Sequence, residues 1–206
     1  MKAWIYDAVM VPLTVKYYRE VLAHVPVGSH MLDVGIGTGS ALTKNRDLVL
    51  SRDLWVTGLD VNPQYLERCR KNLIRHGLED RVKVRLESIY DHRDGSYDVV
   101  YFSCSFMLLP EPEAALRHIA DNLLKPDGRI IFTQTFQDKK SDLVERIKPH
   151  LNKVTTIEFG SVTYEETFRK QMSDAGIELI EMKVLSRSPT RSRSGRLAIA
   201  KPRSAS

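Results

Sequence analysis

Cysteine is scarce in this sequence: two thiols, Cys69 and Cys104, in 206 residues. They fall in segments that read as a helix and a strand end, with no CxxC and no Cys/His ligand spacing. That excludes a disulfide scaffold, and no metal ligand set is expected. Long apolar runs are missing too. None approaches the ~18 to 20 residues of a membrane span, and the first residues lack a basic start, an apolar middle and a small-residue cleavage site. The expectation is a cytoplasmic protein, peripheral to a membrane at most. Charge of one sign is only mildly in excess. With 31 Lys and Arg against 26 Asp and Glu the formal charge is +5, which suits ordinary solubility and leaves nucleic acid or an anionic membrane surface as lesser alternatives. There is no internal repeat, no Ser/His/Asp order and no paired-carboxylate motif.

What is present is an ordinary globular balance, 42% hydrophobic and 28% charged residues, enough for one substantial core. We expect one domain over residues 1–203, opened by a segment over 1–25 and followed by a loose tail at 204–206. A helical stripe runs from Leu13 to Val25, with Tyr17, Tyr18, Val21, Leu22 and Val25 on one face. Short apolar runs then recur as strands: Met31 to Val34, Trp55 to Leu59, Val82 to Leu86, Asp98 to Phe102 and Arg129 to Thr133. Between them lie a helix capped by Asn62 with Pro63 in its first turn, and another from Glu113 to Leu124 ended by KPDG. A TYEE capping box from Thr163 to Glu166 opens a last helix that stops at Gly176. Strands Glu178 to Leu185 and Arg196 to Ala200 follow with no helix between them. The alternation predicts a doubly wound, mostly parallel seven-stranded α/β sheet with helices on both faces and a C-terminal antiparallel hairpin.

The stretch HMLDVGIGTGSAL follows the first strand, at the sheet edge where ligands of such folds bind. Gly35, Gly37 and Gly39 let a ligand lie against the main chain. About 20 residues on, the next strand ends in Asp60, placed to accept both hydroxyls of a ribose. Dinucleotide-binding enzymes share this logic, but their GxGxxG fingerprint is absent, since Ser40 stands where its third glycine belongs. Asp33, just before the turn, repels a pyrophosphate and suits a cationic amino group.

LDVGIGTGSAL with VTGLDVNPQYLERCRKNL resembles the class I S-adenosylmethionine-dependent methyltransferases, in their small-molecule, phospholipid- or quinone-type branch. GSYDVVYFSCSFMLLPEPEAALRHIADNLLKPDGRIIFTQTF is similar to that family's fourth strand, helix and fifth strand. The resemblance implies a Rossmann-like methyltransferase fold and S-adenosyl-L-methionine as cofactor. It places Gly35, Ile36, Gly37, Thr38 and Gly39 along the methionine portion and ribose, Asp33 near the amino group, Asp60 on the ribose and Val61 on the adenine. Many relatives carry an acidic residue after the third strand for the adenine amino group; here Ser88 and Ile89 occupy that neighbourhood, and Asp91 comes later. Ser103 falls where the family lines the methyl-donor site, and the early Tyr6–Asp7 pair resembles a lid element of the segment over 1–25.

A methyl group on a sulfonium is already activated, so the chemistry implied asks the protein for alignment and a dry site. Weak catalytic candidates are Tyr6, Ser103 and His92. Phe106, Met107, Leu108 and Leu109 are candidates for an acceptor wall, and Tyr17 and Tyr18 for a cage around a methylated amine. The leading expectation is methyl transfer to a small molecule, a phospholipid amine or a quinone-like acceptor. Two alternatives stay open: a protein or RNA methyltransferase that recruits substrate through the basic hairpin SRSPTRSRSGR (186–196), and a non-catalytic S-adenosylmethionine-binding partner or sensor. Oligomeric state is left open.

Overall fold

The computed structural model describes residues 3–138, 163–188 and 192–203, with side chains from residue 12 onward. Seven strands form one sheet in the order β3-β2-β1-β4-β5-β7-β6. They are β1 (His30–Val34), β2 (Trp55–Asp60), β3 (Val82–Leu86), β4 (Tyr97–Ser103), β5 (Leu124–Gln137), β6 (Ile177–Arg187) and β7 (Arg193–Pro202). The first five pair in parallel, and β7 runs antiparallel between β5 and β6. The chain order reverses at β1, which has β2 on one side and β4 on the other, so the carboxyl end of β1 is the crevice of the sheet.

Two cores follow from the alternation of side chains along each strand. On one face α1 (Ala3–His24) and α4 (Pro63–Arg75) bury Tyr18, Val21, Leu22, Leu66, Cys69 and Leu73 against Met31, Val56, Val99 and Ile131. On the other, α5 (Pro112–Asn122) and α6 (Glu165–Asp174) bury Leu116, Ile119, Phe168 and Met172 against Val100, Phe102, Ile130 and Phe132. Two short helices, α2 (Ser40–Thr43) and α3 (Arg46–Ser51), follow the glycine turn. Asn45 between them is fully buried and donates to the carbonyls of Val15 and Ala41, which fixes the break.

Several boundaries differ from the sequence reading. Helix α1 begins at Ala3 and takes Pro12 into its interior, where a start at Leu13 had been expected. Met1 and Lys2, the side chains of Tyr6 and Asp7 in the lid element, the tail 204–206 and residues 189–191 of the hairpin lie outside the described residues. Tyr164 precedes the first turn of helix α6, and the Thr163 backbone before it pairs with Phe136 and accepts from Gln137 N–H. Among the described residues, 87–96 between β3 and β4 form no helix, and Lys83 and Arg85 of β3 are exposed. A depression of about 440 Å³ lined by His30, Trp55, Lys83 and Arg85 lies there, far from the carboxyl edge. That connection is held from inside: both ring nitrogens of the fully buried His92 lie 2.9 Å from partners, Nδ1 from a Glu87 carboxylate oxygen and Nε2 from the Tyr97 hydroxyl.

Candidate active site

The glycine turn leaves β1 at Gly35, whose N–H donates to the Leu59 carbonyl at 2.8 Å. A Cβ on Gly35 would sit 2.6 Å from the Ser105 Cβ, so only glycine permits this approach of two strand ends. Ser105 completes the join by donating its hydroxyl to the Val34 carbonyl. Gly37 has φ of 60° and nothing within 4 Å of where its Cβ would be: the turn presents bare backbone to open space. From below, the Asn72 amide of α4 donates to the Thr38 carbonyl at 2.9 Å and fixes the far side of the turn.

Asp60 stands at the end of β2, beside this turn. Its carboxylate accepts from Gly37 N–H at 2.9 Å and from Asn62 N–H at 2.8 Å, which ties the turn to the cap of α4. The following residue, Val61, is 71% exposed, an apolar side chain left in the open beside two polar loops. Ser88 is half-buried with its hydroxyl near Tyr90 N–H, and Ile89 is buried in the core below α5.

Asp33 is the most unusual group at this edge. It is fully buried, with one carboxylate oxygen accepting from the Tyr18 hydroxyl at 2.7 Å and the other, Oδ1, without any partner. Burial pushes its carboxyl up to about 7; the Tyr18 hydrogen bond opposes the shift and the Asp60 charge adds to it. A buried acceptor without a donor costs a few kcal/mol, at least ~1. An ammonium placed at Oδ1 removes that cost. This orphan oxygen, the open backbone of Gly37 and the carboxylate of Asp60 fit the amino acid and ribose parts of S-adenosylmethionine.

β4 ends at the same edge of the sheet, next to β1. Ser103 is half-buried and paired in register with Thr133 of β5. Between them the buried Tyr101 phenol sits 2.7 Å from the Thr133 hydroxyl, its ring edge-on to Tyr18 at 5.0 Å. Cys104 follows with φ of 56°, uncommon for a residue with a side chain, and burial pushes its thiol up to about 11, which rules out a resting thiolate.

Of the residues expected here, the turn, Asp33, Asp60, Val61 and Ser103 come together at one edge. The Ile89 side chain is packed in the core, and the His92 ring is hydrogen-bonded to Glu87 and Tyr97. Phe106 also turns inward, 2% exposed among Phe102, Phe132 and Phe168, while Leu108 at 52% remains available as a wall. Tyr17 and Tyr18 form no open cage: both are buried, Tyr17 bonded to Ser186 and Tyr18 to Asp33. In the basic hairpin, Arg193 donates to the neutral Gln137 amide, and Arg196 is charge-paired with Asp138 and Glu165. Ser105 and Asn72 were not among the expected site residues, and Tyr18, expected in an acceptor cage, instead donates to Asp33.

Comparison with known proteins agrees with this architecture. A family model described as a methyltransferase domain matches residues 27–177. A phosphatidylethanolamine N-methyltransferase from Cereibacter sphaeroides is 29% identical over 146 residues, 69% of this chain and 69% of that protein. A ubiquinone biosynthesis O-methyltransferase from Idiomarina loihiensis is 32% identical over 120 residues, 57% of this chain but only 46% of that protein. Among solved structures, a SAM-dependent methyltransferase from Aquifex aeolicus superposes with a TM-score of 0.65 at 18% identity, covering 90% of this chain and 88% of that one. Geranyl diphosphate C-methyltransferase from Streptomyces coelicolor gives 0.70 at 12% identity, covering 93% and 79%. A glycine turn in the crevice of a seven-stranded sheet, Asp33 within the strand before it and Asp60 at the end of the next, and a family match across most of the chain lead to one conclusion: the chain belongs to the methyltransferase-domain family and is an S-adenosylmethionine-dependent methyltransferase.

Proposed function

We propose that the chain methylates a small-molecule acceptor, a phospholipid amine or a quinone-like ring, and that the carboxyl edge of β1, β2 and β4 holds the methyl donor. The observation that carries the donor assignment is the orphan Oδ1 of Asp33, buried beside an open glycine turn. In this reading Asp33 takes the amino group, the backbone from Gly35 to Gly39 takes the methionine chain, Asp60 the ribose hydroxyls and Val61 one face of the adenine. S-adenosylmethionine supplies an activated methyl group when bound. The protein's part is to exclude water and to align the acceptor within ~3 to 3.5 Å of that carbon.

A small acceptor is supported by the state of the hairpin. A macromolecule bound through phosphates needs free cations, and one of the hairpin's arginines, Arg196, is paired with Asp138 and Glu165. Two relatives carry lipid or small-molecule acceptors in their names, and a third carries a ribosomal protein. The test is a calorimetric titration with S-adenosylhomocysteine, followed by a cell extract incubated with label on the donor methyl. Micromolar binding and label in the small-molecule and lipid fractions are expected. Label confined to protein or RNA overturns the acceptor assignment, and absence of binding overturns the donor site.

A further inference from the structure

Gln134 lies in β5 one residue beyond Thr133, the position paired with Ser103, and so at the level of the carboxyl edge. It is 1% exposed, yet neither its Nε2 nor its Oε1 has a hydrogen-bond partner. Strand alternation puts it on the face of Phe132 and Phe136, both fully buried and both edge-on to Phe168 of α6. A leucine at this position fits such a shell without cost. An amide with a donor and an acceptor both unmet does not.

The neighbouring charge is already neutral. Arg196 faces Gln134 across the β5–β7 ladder, and its guanidinium is divided among Ser194, Asp138 and Glu165, with the Phe136 ring 5.1 Å beneath it. A carboxylate or phosphate only accepts, so it leaves Oε1 unmet and finds no free cation. An ammonium only donates and leaves Nε2 unmet. A hydroxyl donates to Oε1 and accepts from Nε2, and meets both needs with one oxygen.

We infer that Gln134 recognises a hydroxyl group of the methyl acceptor, so that the acceptor is a neutral, hydroxyl-bearing molecule with an apolar or aromatic body. This rests on the reading of the carboxyl edge as a methyl-transfer site. It favours the phenol-like acceptor over an amine headgroup that stays protonated.

The experiment uses the full chain saturated with S-adenosylhomocysteine. The probes are alkylated catechols and hydroquinones, with phosphatidylethanolamine vesicles as the ammonium-headed comparison. Thermal midpoint and calorimetric affinity are read for the native chain and for Gln134→Leu. The expected result has three parts. A phenolic probe binds the native chain and the vesicles do not. Gln134→Leu weakens that probe about tenfold or more, with S-adenosylhomocysteine affinity unchanged. The midpoint of the ligand-free variant is equal to or above the native one, because the leucine gives up no hydrogen bond. The inference is overturned if no phenolic probe binds, if the variant binds them equally, if the vesicles bind instead, or if the variant's midpoint falls, which would reveal a structural partner such as a buried water. S-adenosylhomocysteine binding with every phenolic probe silent removes the role of Gln134 alone. Failure of S-adenosylhomocysteine itself removes the site reading and this inference together.

Discussion

Asp33 holds a proton far above the 3.8 of an ordinary aspartate, up to about 7, from burial first, against the Tyr18 hydrogen bond and reinforced by Asp60. A raised carboxyl is a liability wherever it must ionise. The ligand-free protein therefore loses stability as pH rises from roughly 4 to 7, since the folded state binds the extra proton there. An ammonium-bearing ligand has the opposite preference and needs the carboxylate. Affinity for S-adenosylhomocysteine should climb as pH rises toward about 7, with a slope approaching one proton well below that value, and level off above it; Asp33→Asn should flatten that slope. Calorimetry at several pH values decides it; a variant with the native slope shows that another group titrates. Tyr18→Phe removes the one hydrogen bond that lowers the Asp33 value, so it should move the transition to higher pH. Asp60→Ala leaves the N–H groups of Gly37 and Asn62 without their acceptor and should weaken binding about tenfold or more.

The elements divide by how local their signals are. The start of α4 is written in two adjacent residues, and the Asn62 side chain does accept from Gln64 and Tyr65 N–H at 2.9 and 3.2 Å. Asn62→Ala should cost about 1 kcal/mol in chemical unfolding, and no change would mean that Pro63 alone sets the helix start. The five parallel strands and the buried stripes of α1 and α5 were legible for the same reason: each is a periodicity inside a short window. What was not legible depends on distant partners. The bridge that joins the Thr163 backbone to the strand residue Phe136 has no signal in the TYEE stretch itself. The bare stretch between β3 and β4 is short enough to close without a helix, and Tyr97 and His92 meet inside it only after folding. Gly195 reads as a hairpin glycine, yet a Cβ there would overlap the Tyr17 hydroxyl, so it admits α1 to the hairpin. Gly195→Ala should cost ~1 to 3 kcal/mol through that overlap, measurable as a lowered denaturation midpoint. Tyr18 and Gln134 look in sequence like a packing aromatic and an ordinary strand residue; only burial beside an orphan acceptor, or as one, sets them apart.

Across the whole molecule, the two ends of the sheet have separate tasks. Trp55 begins β2 at the amino edge, 43% exposed with the Arg81 guanidinium 4.6 Å from its ring centre, and Asp60 ends the same strand. The two positions are ~17 Å apart along the strand. In a Trp4→Phe chain, Trp55 is the remaining tryptophan, and its emission should not change on titration with S-adenosylhomocysteine. A shift would show that the two ends communicate. The strand order carries a different consequence, one of timing. β7 is made after both of its neighbours, β6 pairs with β7 alone, and rungs such as Ile130 with Ala200 join residues far apart in sequence. Until residues 193–202 arrive, β5 has an unfilled outer edge and β6 has no strand to lie beside. Long-range closures of this kind are slow, and open edges recruit other chains in the interval. The nascent protein is therefore most vulnerable to aggregation while it waits for β7, and amides in β6 should be the last in the sheet to gain protection from exchange.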